Sequence, residues 1–434
     1  MAEVLDHDLL ETRAKALDVE DPLSLFRDRF HIPLHENGKP EIYFVGNSLG
    51  LQPKLTESYV VDELESWKTR GVRGHFEGEY PWMPYHEFLT EPMAKIVGAL
   101  PEEVVMMNGL TANLHLMMAT FYRPENKRTK ILIEDHAFPS DHYAVESQIR
   151  WHGLDPRSEL VVLSPDAGEE TINQQKITQA IEYFQEELAL VVLPGVQYYT
   201  GQVFDVASIV EVAHQYNIPV GIDLAHAAGN VELRLHDWNV DFAVWCSYKY
   251  LNSGPGSVAG CFVHQLHAKN PSKLRLAGWW GQDKESRFLM DNQFRAIPSA
   301  EGWQLSNPPI LSMAAIRASL QLFEEAGIDR LIEKSKRLTG FFLECIDHLL
   351  GEDVTVITPR EGNRRGCQLS LKVNLRGISG KVIFEQLEAS GIRTDWREPD
   401  VIRAAPVPLY NQFIEVFEFT RRLKEILNAT KSAK

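Results

Sequence analysis

The sequence has few cysteines and no long apolar run. Its 434 residues contain four cysteines, with no CxxC pair and no His/Cys spacing typical of a metal site. The longest apolar run, Leu188–Pro194, is far shorter than the roughly 20 residues that a membrane helix needs. The first 30 residues are acidic and interrupted by charges, unlike a signal peptide. The sequence therefore predicts a reducing, cytoplasmic compartment, with buried thiols and no disulfide framework.

Positive charge is also scarce. Lys and Arg number 44 against 60 Asp and Glu, which gives a formal net charge of −16 and a pI of about 5.4. Nucleic acids and anionic membranes demand clustered Lys and Arg, so we expect neither as a main partner. A small anionic substrate remains compatible with this charge, because a few local cations suffice to bind it.

What the sequence does contain is an alternation of apolar strands and helices. Near-continuous apolar strands separated by helices are typical of a parallel sheet that is covered on both faces. The predicted strands are 130–134, 160–163, 188–193, 219–223 and 242–246. The predicted helices include 112–122, 169–186, 206–216, 310–326 and 329–350.

The chain is longer than the size at which a single core stops growing, so we expect two domains. The sequence predicts a large α/β domain over residues 50–310, with a mostly parallel central sheet. A smaller α+β domain would combine residues 1–49 with residues 311–434. The Asn307-Pro-Pro309 segment marks the second boundary.

Two charged residues follow neighbouring predicted strands. Asp223 ends the strand 219–223, and Lys249 comes shortly after the strand 242–246. Ligands of parallel sheets bind outside the carboxyl ends of the strands. A carboxylate facing a pyridinium nitrogen and a lysine that forms an imine are the two protein groups that pyridoxal phosphate chemistry requires. A surface lysine and a capping aspartate would have the same spacing, so both interpretations stay open at this point.

A phosphate group would need an anchor of its own. Thr111 is predicted to be the N-cap of the helical stretch 112–122, whose first amide groups could receive an anion. Phe138 could stack on a ring or belong to the core.

Eight motifs then suggest a family, since each is weak alone but their order along the chain is specific. They are Gly46-Asn-Ser-Leu-Gly-Leu-Gln-Pro53, Asn108-Gly-Leu-Thr111, Ala137-Phe-Pro-Ser-Asp141, Asp223-Leu-Ala-His226, Cys246-Ser-Tyr-Lys-Tyr-Leu-Asn252, Gly278-Trp-Trp-Gly281, Ser306-Asn-Pro-Pro-Ile310 and Ile402-Arg-Ala-Ala-Pro-Val-Pro-Leu-Tyr410. Together they resemble kynureninase, a pyridoxal-phosphate (PLP) enzyme of fold type I.

The resemblance implies an activity and an assembly. Enzymes of this family cleave the Cβ–Cγ bond of kynurenine or 3-hydroxykynurenine by hydrolysis, giving an anthranilate and alanine in tryptophan catabolism and NAD biosynthesis. A homodimer with shared active sites is implied as well. No metal is expected.

The resemblance also implies which residues hold the cofactor. Lys249 would carry it as a Schiff base and move the Cα proton, and Asp223 would pair with the ring nitrogen. The positions expected around them are Leu110 and Thr111 at the phosphate with Tyr248, Phe138 on the ring face, and Asp141 and His226 beside the ring. Tyr248 is also the candidate acid for a late protonation.

For the substrate, the resemblance implies that Arg403 clamps the α-carboxylate, for which a planar guanidinium is well suited. Ser48 and His75 would line the aromatic end. Trp279 and Asn307 would complete the site from the neighbouring subunit. Because His75 and Asn307 can both hydrogen-bond a ring hydroxyl, 3-hydroxykynurenine is the expected better substrate. Core packing, capping or surface positions remain the alternatives for all these residues.

Three other functions are compatible with parts of the sequence. A cysteine desulfurase or selenocysteine lyase would need a catalytic thiol on a mobile loop, and only Cys367 is a candidate, although it alternates with apolar residues like an inward-facing strand position. A catalytically silent binding module would have lost the lysine or its aspartate. A dinucleotide-dependent oxidoreductase would carry GxGxxG after an early strand, and this motif is missing there.

Overall fold

The computed structural model describes residues 2–432. The chain divides into two compact units: the larger comprises Thr56–Gly195 and Phe204–Phe323, and the smaller comprises Met1–Leu55, Val196–Val203 and Glu324–Lys434. The division predicted at residues 50 and 310 stays a prediction. By contacts, the short segment Val196–Val203 belongs with the smaller unit, which nothing in the sequence pattern indicated.

The described residues form thirteen strands, several of them only two to four residues long. They are β1 (Ile42–Tyr43), β2 (Val104–Met106), β3 (Lys130–Glu134), β4 (Leu160–Leu163), β5 (Leu188–Pro194), β6 (Val220–Asp223), β7 (Phe242–Trp245), β8 (Gly260–Val263), β9 (Val354–Val356), β10 (Leu369–Val373), β11 (Ile392–Arg393), β12 (Asp395–Arg397) and β13 (Val401–Ala404).

The same residues form thirteen α-helices. They are α1 (Ala2–Val19), α2 (Leu55–Arg70), α3 (Glu87–Val97), α4 (Leu110–Phe121), α5 (Pro139–Trp151), α6 (Pro156–Glu159), α7 (Gln174–Tyr183), α8 (Val206–Gln215), α9 (Gln265–Ala268), α10 (Ile310–Ala326), α11 (Ile328–Leu349), α12 (Gly380–Ala389) and α13 (Phe413–Ser432). None of them combines the length and the apolar composition that a membrane crossing requires.

Seven strands of the larger unit form one sheet in the order β2-β8-β7-β6-β5-β3-β4. The strands from β4 to β7 pair in parallel, whereas β8 runs antiparallel to both of its neighbours. Every residue of β6, β7 and β8 is buried, as expected for strands that are covered on both faces. The predicted α/β fold with a mostly parallel central sheet is confirmed.

Helices α4 and α5 pack against this sheet through a continuous apolar core. Leu114 and Met117 of α4 and Val145 of α5 are almost fully buried. The ring of Phe121, at the end of α4, stacks on that of Phe242 in β7 with 4.9 Å between centroids. Since each buried side chain of this size contributes about 1.5–3 kcal/mol, this packing fixes the position of α4 against the strands.

The smaller unit has its own sheet and core. Its four antiparallel strands have the order β12-β13-β10-β9, and β1 pairs in parallel with β11. Phe342 of α11, Leu371 of β10 and Phe419 of α13 are fully buried in one apolar cluster. The first amides of α13 donate to Asp18 of α1 at 2.7 and 2.9 Å, so these two helices are joined within this unit.

Candidate active site

Asp223 and Lys249 lie at the carboxyl edge of the parallel sheet. Asp223 is the last residue of β6, and Lys249 lies in the turn after β7, the neighbouring strand. The turn is closed by the amide of Asn252, which donates to the carbonyl of Lys249 at 3.0 Å. Asn252 has φ 51°, a left-handed conformation that asparagine adopts more readily than most residues. The local fold therefore directs both residues to the edge where ligands of such sheets bind.

Lys249 meets residues from two other segments. Its Nζ lies 3.0 Å from Nε2 of His226, a buried residue that follows β6. The same Nζ lies 5.7 Å from the ring centroid of Phe138, which precedes α5 and is 43% exposed. Lys249 is half-buried in this cluster and not a surface lysine.

Two carboxyl groups lie beside Lys249. Burial raises the pKa of Asp141 well above its ordinary value, and the neighbouring Asp223 carboxylate raises it further. Burial also raises the pKa of Asp223, and this is partly offset by its hydrogen bond with Asp141 and by the amide of Ala225, which donates to Oδ1 of Asp223 at 2.6 Å. Two buried carboxyls this close cannot easily both ionise, and a cationic ligand group would relieve them.

One atom of this pair points to such a ligand. Oδ1 of Asp141 is buried and has no hydrogen-bond partner among residues 2–432. A buried polar atom without a partner is uncommon in folded proteins and calls for an explanation. A donor on a bound ligand, such as a protonated ring nitrogen or a ring substituent near it, would satisfy this pair.

Tyr248, the residue before Lys249, carries a phenol whose neighbours include Cys246 and Asp223. Burial, together with the neighbouring Cys246, raises the pKa of Tyr248 to about 12. The phenol therefore keeps its proton near neutral pH and is available as a hydrogen-bond donor.

The start of α4 provides an anion cradle. The N-cap is Gly109, with φ −110° and ψ 162°, and no side chain caps this helix end. The first intrahelical bond runs from the amide of Asn113 to the carbonyl of Gly109, at 3.0 Å, so the preceding amides of Leu110 and Thr111 have no intrahelical acceptor. Such amides, at the positive end of the helix dipole, suit a phosphate.

The predicted capping role of Thr111 was wrong. Thr111 is the second residue of α4, and its hydroxyl lies 2.8 Å from that of Ser140 in α5. The helix begins two residues earlier than the sequence indicated, because Gly109 takes the extended cap conformation. A Cβ at Gly109 would meet no atom within 4 Å, so the space beside this helix end is open.

Three other residues of the larger unit were also predicted at the site. Trp279 is 45% exposed and packs edge-on against Trp280 and Phe288. His75 ends the 3₁₀ turn Gly71–His75, where its Nδ1 lies 3.0 Å from the carbonyl of Val72. Asn307 is exposed in the loop before α10. The substrate and subunit roles predicted for Trp279, His75 and Asn307 stay predictions.

In the smaller unit, Arg403 and Ser48 belong to a polar cluster around Asp395. Arg403 is 1% exposed, and its Nη2 lies 2.5 Å from Oδ2 of Asp395, which also accepts from the hydroxyl of Ser48. Nη1 of Arg403 donates to the carbonyl of Tyr198 at 2.8 Å. Arg403 is thus buried and ion-paired, and its role as a carboxylate clamp stays a prediction.

The sequence motifs did not point to Asp395 as a partner of Arg403. Asp395 and Arg403 are directly opposite each other on the antiparallel strands β12 and β13. Opposite charges at such positions stabilise a sheet, but only the pairing register reveals them. A search for a carboxylate within ten residues of the predicted arginine would have given this one as a candidate.

Cys367, the candidate thiol of the desulfurase alternative, lies in the smaller unit. It is fully buried just before β10, so it is not an exposed catalytic residue on a mobile loop. The inward-facing position predicted for it is confirmed.

Comparisons with known proteins identify a family. A kynureninase C-terminal domain model matches residues 331–423, and an aminotransferase class I and II model matches residues 57–240. The chain is 51% identical to a kynureninase of Koribacter versatilis over 97% of this chain and 99% of the relative. It is 52% identical to a kynureninase of Myxococcus xanthus over 95% of this chain and 96% of the relative.

Solved structures share the fold at low sequence identity. C-DES with glycine covalently linked to its PLP cofactor has a TM-score of 0.74 and 16% identity, covering 89% of this chain and 96% of that one. A cysteine desulfurase from Thermococcus onnurineus has a TM-score of 0.71 and 18% identity, covering 90% of this chain and 95% of that one. These similarities show the fold, whereas the relatives at about half identity show the family.

Proposed function

This chain belongs to the kynureninase family, and we propose that the cluster around Lys249 is the site where it performs the reaction of that family. That reaction is the hydrolytic cleavage of the Cβ–Cγ bond of L-kynurenine or 3-hydroxy-L-kynurenine, which yields an anthranilate and L-alanine. The observation that carries the assignment of the site is the convergence of Lys249, His226 and the Asp141–Asp223 pair at one sheet edge.

The enzyme depends on pyridoxal phosphate, and the residues of this edge fit that cofactor. The amine of Lys249 would hold the cofactor covalently, and the Asp223 carboxylate would keep a proton on the ring nitrogen. Phe138 would lie against the ring, and the amides of Leu110 and Thr111 would receive the phosphate. His226 and Asp141 would hold the ring edge. When bound, pyridoxal phosphate accepts the electron pair released at Cα of the substrate.

The protein's own residues carry the proton transfers. The free amine of Lys249 would remove the Cα proton as a general base. Tyr248 keeps its proton, because burial raises its pKa to about 12, and so it serves as a donor rather than a base. We assign Tyr248 to the late protonation of the departing alanine fragment.

Four side chains would recognise the substrate. Arg403 would bind the α-carboxylate, and the Ser48 hydroxyl, which already contacts the guanidinium at 3.3 Å, would line the aromatic end. His75 and Asn307 would hydrogen-bond a ring hydroxyl. This favours 3-hydroxykynurenine, because a polar group built to meet a hydroxyl is left unpaired by a substrate that lacks one.

We also propose a homodimer in a reducing, cytoplasmic compartment, in which Trp279 and Asn307 complete the partner's site. A run of exposed apolar side chains supports the dimer: Trp279 at 45%, Phe288 at 53%, Leu289 at 71% and Met290 at 75%. Apolar surface this concentrated is typical of an interface. The four cysteines are buried thiols, which suits a reducing compartment. Sedimentation equilibrium measures the mass of the assembly.

The test of the proposed site is the Lys249→Ala variant, compared with wild type and with a control, Lys269→Ala, which changes the exposed lysine directly after α9. Loaded with cofactor, the wild type and the control should release anthranilate, followed by its fluorescence, from kynurenine or 3-hydroxykynurenine. Loss of the covalent attachment and of the general base should reduce turnover of Lys249→Ala by at least about 10³-fold and remove the visible absorbance of the protein-bound cofactor. Wild-type turnover in this variant would contradict the assignment. Sulfide release from cysteine, without anthranilate formation, would favour the desulfurase alternative.

A further inference from the structure

A cavity of about 430 Å³ lies at the amino edge of β6 and β7, opposite the edge that holds Asp223 and Lys249. It is lined by Pro219, which precedes β6, and by Asp241, which precedes β7. At about 3.3 Å per residue, the two ends of β6 are roughly 10 Å apart, so this cavity is distinct from the proposed active site. Its volume is in the range of pockets that bind small molecules.

Asp241 is the single carboxylate among the lining residues, and two histidines balance its negative charge. Oδ2 of Asp241 lies 2.8 Å from Nε2 of His214, and Oδ1 lies 2.6 Å from Nε2 of His267. Oδ2 also accepts from the amide of Val220 at 2.7 Å. Burial alone would raise the pKa of Asp241, but these histidines outweigh it and hold the value at about 2. Asp241 therefore stays ionised and fully occupied by its partners.

Lys273 lines the same cavity without a carboxylate of its own. Among residues 2–432, no ion pair involves Lys273, and its Nζ lies 4.3 Å from the ring centroid of Phe121. Burial lowers the pKa of Lys273; the Asp241 carboxylate opposes this effect, and the positive charges of Arg123 and Arg275 add to it. A half-buried ammonium without a hydrogen-bonded counterion is costly, and a bound anion would stabilise it.

The remaining polar groups suit an uncharged part of a ligand. Asn217 and Asn239 both line the cavity, and both have left-handed backbones, with φ 55° and 56°. A carboxamide combines donors with an acceptor, which matches hydroxyl groups, although Nδ2 of Asn239 also donates to the carbonyl of Asp237 at 3.3 Å.

We propose that this cavity is a binding site for a small anionic metabolite, with its phosphate or carboxylate group at Lys273 and hydroxyl groups at Asn217 and Asn239. The imidazole of His214 adds a second cationic group, because its hydrogen bond to Asp241 raises its pKa and keeps it protonated to higher pH. A bare anion fills only part of the volume, so the ligand is a metabolite of the size of a sugar phosphate or a hydroxylated carboxylic acid.

Calorimetric titration of the cofactor-loaded enzyme tests the site with three probes: inorganic phosphate, glucose 6-phosphate and malonate. We expect millimolar or tighter binding of at least one probe to the wild type. Lys273→Gln should weaken it at least about tenfold, and Lys273→Arg, which retains the charge, should stay within about threefold of wild type. Lys269→Gln, which removes an exposed lysine paired with Glu102, is the matched control and should bind as the wild type does.

The binding results of the wild type and the Lys273→Gln variant either support or contradict the proposed site. Binding of the phosphate probes or of malonate that Lys273→Gln abolishes supports the site and identifies the anionic group. Absence of binding by all three probes, or equal binding to Lys273→Gln, overturns the proposal. If Lys273→Gln does not fold, His214→Gln replaces it, and unchanged binding there also overturns the site. Anthranilate release by the variants should remain as in wild type, so the result is separable from the proposed function.

Discussion

The two edges of the central sheet each hold a buried aspartate, but its pKa is raised at one edge and lowered at the other. Asp223 and Asp241 are almost equally buried, at 6% and 5% exposure. Asp223 lies beside the carboxyl group of Asp141 and has a raised pKa, whereas Asp241 lies between two imidazoles and has a pKa of about 2. Burial is the same in both places, so the neighbours decide the charge.

This difference separates structural from functional groups. Asp241 has its partners within the folded chain and contributes to stability. The Asp141–Asp223 pair is left incompletely satisfied by the chain, and a perturbed, unsatisfied group at a ligand-binding edge is typical of a reaction site. At the opposite edge, Asp241 likewise has its charged partners within the chain, whereas Lys273 has no carboxylate partner in the part of the chain that the structure describes.

The largest expected effect is the loss of activity in the Asp223→Asn variant, which tests the functional role of this aspartate. A neutral amide can no longer keep the cofactor ring nitrogen protonated, so kcat for anthranilate formation should fall by about 10²–10³-fold, as when one preorganised electrostatic contact is removed. Steady-state fluorescence kinetics measures the loss, with Asp241→Asn as the matched control. Equal losses in kcat for both variants would contradict the distinction between the two edges.

The second prediction concerns the stability of Asp241→Asn. This variant removes a carboxylate that accepts from His214, His267 and the amide of Val220. Because hydrogen bonds to charged groups contribute about 1.5–3 kcal/mol, the free energy of unfolding should fall by about 2 kcal/mol. Urea denaturation of the cofactor-loaded enzyme measures this change. Asp223 should contribute little to the stability of the cofactor-free protein. If Asp223→Asn lowered the unfolding free energy of that protein by as much, the two aspartates would not differ in their structural role.

The smallest effect is expected from His214→Gln. A hydrogen bond to Asp241 raises the pKa of His214 in the folded state. The folded protein then binds the proton more tightly than the unfolded chain, so the stabilisation is complete below the unfolded value of about 6.5 and is lost as pH rises through the folded value. Because the side chain is 36% exposed, solvent screening keeps this contribution under about 1 kcal/mol.

The check for His214 is the difference in unfolding free energy between wild type and His214→Gln, measured at pH 6 and at pH 9. The wild type should be favoured more at pH 6. A difference of equal size at both values would show that the imidazole acts through packing and not through its charge.

Local sequence signals predicted much of the sheet. The bounds of β3 and β4 agree with the prediction, and β5, β6 and β7 differ by one residue at one end. Continuous apolar runs define these strands without reference to the rest of the chain. The antiparallel β8 and the edge strand β2 were not predicted, because their short sequences carry no periodicity and their pairing is non-local.

The site was predictable where family motifs cover it. Lys249, His226 and Asp223 were expected together and lie together, although their individual roles stay proposals. The Asp241 cluster was not expected, since His214, Asp241 and His267 come from three separate segments that only the fold brings into contact. The start of α4 was placed two residues too late, because the glycine cap depends on backbone conformation rather than on a side-chain acceptor.

The pairing of Arg403 with Asp395 bears on how tightly a substrate can be held. A buried guanidinium without a counterion would destabilise the empty protein, and Asp395 removes that penalty before any ligand arrives. In the role proposed for Arg403, an incoming carboxylate would join an arginine whose charge is already balanced, so the gain on binding would be smaller than that of a newly formed ion pair. The proposed clamp would therefore bind the amino acid loosely and release alanine quickly, because its arginine is already paired with Asp395.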